Sequence, residues 1–63
     1  PTQGEQAVLD AISGEPRQSE EIARLIGNGT SADSVRKWVK SLREKGYVIK
    51  AHPGLGYQYI RAE

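Results

Sequence analysis

"SLREKGYVIKAHPGLGYQYI", residues 41–60, decides the fold of this chain. It opens in a helical register, with Leu42 apolar among Arg43, Glu44 and Lys45, and stops at Gly46. A glycine just past a last turn bearing Arg43 and Lys45 suits the left-handed position that ends a helix, and the cations complement the helix dipole. Beyond it the apolar period changes from 3.6 to 2. "YVIKA" (47–51) and "YQYIR" (57–61) are β-branched and aromatic at alternate positions. "HPGLG" (52–56) separates them, and Pro53-Gly54 is the pair favoured at the centre of a type II turn. The stretch predicts a helix ending at about Lys45 and antiparallel strands over 47–51 and 57–61. A lone hairpin is barely stable in water, so this one must pack on what precedes it.

What precedes it reads as helices. "ADSVRKWVKSLREK" (32–45) is the longest, with Val35, Trp38, Val39 and Leu42 at the i, i+3, i+4, i+7 spacing of one apolar face. Thr30 or Ser31 is its N-cap. Upstream, "GNG" (27–29) is a turn that permits positive φ. It ends a helix that Ser19 is placed to cap, with Glu20 and Glu21 in the first turn and Ile22, Ala23, Leu25 and Ile26 as the apolar face. "SGEPRQ" (13–18) breaks the pattern again through Gly14 and Pro16. The first helix carries Val8, Leu9, Ala11 and Ile12, and Thr2 with Glu5 three residues later forms a capping box. No internal repeat or low-complexity stretch interrupts this order of helix, helix, turn, helix, hairpin.

Sixty-three residues make a single domain, 1–63, with a small core, and a chain starting at Pro1 without Met reads as excised from something longer. Cysteine is absent, so neither disulfides nor thiolate zinc supports the fold, and a reducing, cytoplasmic setting is expected. No apolar run approaches the roughly 20 residues of a membrane span. His52 is the only histidine and cannot by itself make a metal site. A deep catalytic cleft is not expected at this size, so the chain reads as no enzyme and as needing no cofactor. The net charge of +1 hides an asymmetry. Residues 1–30 hold two basic against five acidic side chains, a net −3; residues 31–63 hold seven against three, a net +4. That imbalance gives one half a polyanion-facing character.

Leu42-Arg43, then Gly46, then Pro53-Gly54-Leu55-Gly56-Tyr57 follow the order "LR..G" and "PG.GY". On these motifs and the element order the chain resembles a winged helix-turn-helix domain, most closely the N-terminal DNA-binding domain of biotin operon repressors and related bacterial transcription regulators. "GLGYQYI" (54–60) is also similar to the wing of response-regulator output domains. The resemblance spans roughly residues 5–61. It implies an α+β, mostly α fold, three helices with a two-stranded wing. It also implies double-stranded DNA binding in transcription regulation, with helix three in the major groove and the wing on a neighbouring groove or backbone. The family's turn before helix three is usually tighter than "GNGTS" (27–31), so a different presentation of that helix is expected.

The candidate contacts follow from the helical phase. With Val35, Val39 and Leu42 inward, Arg36, Lys37, Lys40 and Arg43 form the opposite, basic face. Arg and Lys there suit guanine edges or phosphates. Arg36 is expected to read a base, and Lys37 and Lys40 to hold phosphate. The resemblance points to the start of the helix as well, where Ser31, Asp33 and Ser34 stand; Asp33 repels phosphate but accepts from cytosine N4. In the wing, Lys50 and an exposed His52 at the tip are expected to touch phosphate. Arg17 stands near a candidate short edge strand before helix two, with the wing and DNA as alternative partners and neither assigned to it. Trp38 reads as a shoulder of the core packed on the hairpin, not a stacking platform, and Tyr57 and Tyr59 as packing on one strand face. Gly54 and Gly56 serve backbone shape. The acidic surface of helix one, around Glu5 and Asp10, is expected to lie away from any DNA. A single small domain binds weakly, so a partner chain or neighbouring domain is expected to double the contacts. The rival readings are a winged helix used as a protein-interaction module, since fold does not fix function, and an RNA-binding domain using the same basic face.

Overall fold

Local signals place each element in the computed structural model, which describes all of residues 1–63. Three helices, α1 (Gln3–Ile12), α2 (Ser19–Ile26) and α3 (Ala32–Glu44), precede two antiparallel strands, β1 (Tyr47–His52) and β2 (Gly56–Ala62). This is the expected α+β layout. Helix α1 begins at the predicted capping box: Thr2 Oγ1 accepts the Glu5 N–H at 3.2 Å, and Glu5 Oε1 accepts the Thr2 N–H at 2.8 Å. Helix α3 is capped by Ser31, whose hydroxyl accepts the Ser34 N–H at 3.1 Å. It stops where Gly46 takes a φ of 99°, a left-handed conformation that only glycine adopts cheaply.

Helix α2 departs from expectation at its start. Gln18, not Ser19, is the N-cap residue, and its side chain caps nothing; Nε2 donates instead to Gly54 O in the wing at 2.9 Å. Ser19 is already helical and buried. Leu25 also differs, being 56% exposed. An eight-residue helix has one apolar stripe, here Ile22, Ala23 and Ile26, and Leu25 lies about 100° off its centre.

The core joins α1 (Val8, Leu9, Ile12), α2 (Ile22, Ala23), α3 (Val35, Val39, Leu42) and Ile49 of β1. Trp38 packs at its margin, as expected of a shoulder of the core, and its ring lies on α1: a Cβ on Gly4 would lie 2.5 Å from the indole. Glycine within a helix costs about 1 kcal/mol relative to alanine, and here it admits the ring.

The wing pairs His52 with Gly56 and Ile49 with Tyr59, then slips by one residue so that Val48 faces Arg61 and Tyr47 faces Ala62. Each strand runs slightly beyond its expected span. Leu55 N–H donates to His52 O at 3.0 Å, and Gly54 has a φ of 78°, as a type II turn requires. Arg17 adds a single bridge to β2: its N–H donates to Tyr57 O at 3.0 Å and its carbonyl accepts the Tyr57 N–H at 2.8 Å. Gly56 makes that approach possible, because a Cβ there would lie 2.1 Å from Arg17 O.

Candidate nucleic-acid interface

The buried side of α3 carries Val35, Val39 and Leu42, so its outer side presents the predicted basic residues. They do not behave alike. Lys37 and Lys40 are exposed and make no ion pair. Arg36 is held by two carboxylates, with Nη1 donating to Asp33 Oδ1 at 2.8 Å and Nη2 to Glu20 Oε2 at 3.2 Å. Arg43 is turned toward the wing: Nε and Nη2 donate to Ile49 O at 3.1 and 2.7 Å, and its guanidinium lies 5.5 Å from the centre of the Tyr57 ring. A cation over an aromatic face that also bridges to a strand carbonyl fixes the angle between α3 and the wing. Ser31 and Ser34 are occupied at the helix start, where the Ser31 hydroxyl both caps α3 and donates to Ser34 Oγ at 3.2 Å.

On the wing, alternation puts Ile49, Tyr57 and Tyr59 on the face toward the helices and Lys50 and His52 on the other. Lys50 is exposed and unpaired. His52 is half-buried rather than an exposed tip residue, and its Nε2 lies 2.8 Å from Gln58 Oε1. The tip itself is Pro53-Gly54-Leu55, with Leu55 61% exposed. The register slip has a consequence for charge. An unbroken ladder would place Ile60 opposite Val48, whereas the bulge puts Arg61 there, on the same face as Lys50. Arg61 was missed as a candidate because alternation alone assigns it the opposite face.

Arg36, Lys40 and Arg43 are brought together with Tyr57 along a shallow groove of about 490 Å³ between α3 and the wing. A smaller cleft, about 280 Å³, runs between the start of α2 and the wing, lined by Glu20, His52 and Tyr57 among others. Lys50 lines neither. Glu20 was missed too; no local pattern links it to a residue sixteen positions away. A third groove, about 730 Å³, is lined by Ala7 and Ala11 of α1, Leu25 and Ile26 of α2, and Trp38.

Glu5 corrects the expectation that helix one carries it as a surface acid. Its side chain is 3% exposed and accepts from Lys45 Nζ at 2.6 Å as well as from the Thr2 N–H. Its pKa is lowered from 4.5 to about 2, chiefly by the Lys45 hydrogen bond, then by Ser41 and the Thr2 backbone. No helix is long and apolar enough to cross a membrane. No protein-family model, curated protein or solved structure matches the chain.

Proposed function

We propose that this chain is a winged helix-turn-helix domain of the kind it resembles, binding double-stranded DNA through α3 and the wing in the service of transcription regulation, in the cytoplasm. The observation that carries this reading is the set of cations that the fold leaves without partners on these elements: Lys37 and Lys40 on α3, Lys50 and Arg61 on one face of the wing. Arg17, Arg36 and Lys45 are all engaged by carboxylates elsewhere. An α-helix fits the major groove of B-form DNA, and unpaired cations gain most from phosphate because no internal ion pair must break first. Lys37 and Lys40 hold the backbone on either side of the groove, Lys50 and Arg61 extend the footprint, and Arg43 positions the wing without touching DNA.

Binding to a random-sequence duplex, measured across salt concentrations, tests this. Four phosphate contacts give a log–log slope of about −3 to −4. A Lys37→Ala/Lys40→Ala variant that melts like the parent should lose about two units of that slope. Unaltered binding by the folded variant would reject this face as the DNA site. One observation favours the rival protein-interaction reading, namely the exposed Leu25 beside Trp38 in the groove of α1 and α2. If the parent shows no salt-dependent affinity for duplex or single strands, that reading takes precedence.

A further inference from the structure

Arg36 is the only cation of α3 held by carboxylates from two helices: Asp33 is its i,i+3 neighbour on α3, and Glu20 reaches it from α2. Its side chain is 47% exposed, Glu20 is 58% exposed and Asp33 is 85% exposed. Pairs this wet contribute little to stability, since water screens them and ordering the side chains opposes them. Glu20 nonetheless makes the single ion pair between α2 and α3. Two of the five guanidinium N–H donors are thereby occupied and three remain. Each carboxylate spends one oxygen on Arg36. Asp33 Oδ2 has no hydrogen-bond partner, and Glu20 Oε1 has only a long contact from Ser19 Oγ at 3.4 Å.

We propose that Glu20, Arg36 and Asp33 form one reading head that selects a guanine together with a cytosine amino group in the same or the neighbouring base pair. This rests on the DNA-binding reading above. The cluster carries one positive and two negative charges, so phosphate repels it and Arg36 is unsuited to a backbone contact. At the floor of the major groove the balance reverses. Guanine O6 and N7 accept from the free guanidinium donors, and cytosine N4 is a donor for a carboxylate oxygen. Asp33 lies beside Arg36 from within α3 and Glu20 from α2, so a donor fork and two acceptor carboxylates sit side by side. On α3, Arg36 supplies the guanine contact and Asp33 Oδ2 one acceptor; the second helix adds Glu20 as a further acceptor for cytosine N4.

Selection of bound duplexes from a random-sequence pool, by the parent and by folded Glu20→Ala and Arg36→Ala variants, tests this. The parent should enrich a guanine with cytosine at a fixed position. Glu20→Ala should retain the guanine, lose the cytosine preference by about fivefold or more, and bind unselected duplexes more tightly through loss of a repelling charge. Arg36→Ala should lose the guanine. If Glu20→Ala binds all duplexes more tightly with its base preference intact, Glu20 is a repelling charge and no reader. A parent that binds every duplex equally overturns this inference and leaves DNA binding standing. A parent that binds no duplex removes both.

Discussion

At the end of α3, Lys45 Nζ lies 2.6 Å from the carboxylate of Glu5, which is 3% exposed; near its start, Arg36 lies between two carboxylates that are mostly in water. The side-chain chemistry is the same and the surroundings differ. Glu5 also caps α1 through the Thr2 N–H, so its charge belongs to the junction of α1 with the end of α3. Removing Lys45 would leave a buried carboxylate short of a partner, which is costly. Removing Glu20 would leave an exposed guanidinium, which water accommodates. Burial makes one pair part of the frame and leaves the other free to meet a ligand.

Breaking the frame itself should have the largest effect. Leu42 is fully buried in the core, and Leu42→Ala should cost about 2–5 kcal/mol, a large share of a small domain's stability, seen as a much lower melting temperature. Melting at the parent temperature would contradict the phase of α3. Next comes Gly56→Ala, where a φ of 103° and the contact with Arg17 are both violated. The backbone strain alone is worth about 1–3 kcal/mol. Hydrogen exchange should show the Tyr57 amide deprotected first, and protection equal to the parent's would mean that the bridge to Arg17 tolerates the added Cβ.

The pH dependence sharpens the comparison. Glu5 is held at about 2 in the folded chain against an ordinary value of 4.5, so its stabilising effect is complete above about 4.5 and is lost as pH falls toward 2. Glu5→Gln should therefore melt lower than the parent at pH 7, with the gap closing between pH 4.5 and 2. A gap independent of pH would show that the ion pair is not its source. The smallest effect on stability belongs to Lys37→Ala: within about 0.5 kcal/mol of the parent in melting, yet with the salt slope for duplex DNA reduced by about one. A changed melting temperature would place Lys37 in the frame after all.

The features legible in the sequence are those set within a few residues. The Thr2–Glu5 capping box, the Ser31 cap, the stop at Gly46 and the Pro53-Gly54 turn each depend on groups two to four positions apart, and each forms as expected. The candidate site was legible as a face and not as a set of contacts. Arg36, Lys37, Lys40 and Arg43 look equivalent along the helix, yet Arg43 is drawn to Ile49 and Tyr57, and Arg36 to Glu20. The same limit applies to Gln18, whose side chain serves Gly54 thirty-six positions away instead of its own helix. Leu25 looked apolar enough for the core, and only the direction of the neighbouring helices shows that it faces out.

Three helices, a hairpin, the inward phase of Val35, Val39 and Leu42 and the basic character of the last half of the chain follow from the order of residues alone. Periodicity, caps and turns carry that information, because backbone hydrogen bonding and side-chain direction repeat over short distances. Only the tertiary structure decided that Trp38 rests on Gly4, that a bulge brings Arg61 beside Lys50, and that Glu5 and Glu20 play opposite parts. Each of these depends on where two distant segments meet, and so on how one small core packs three helices and a wing around it.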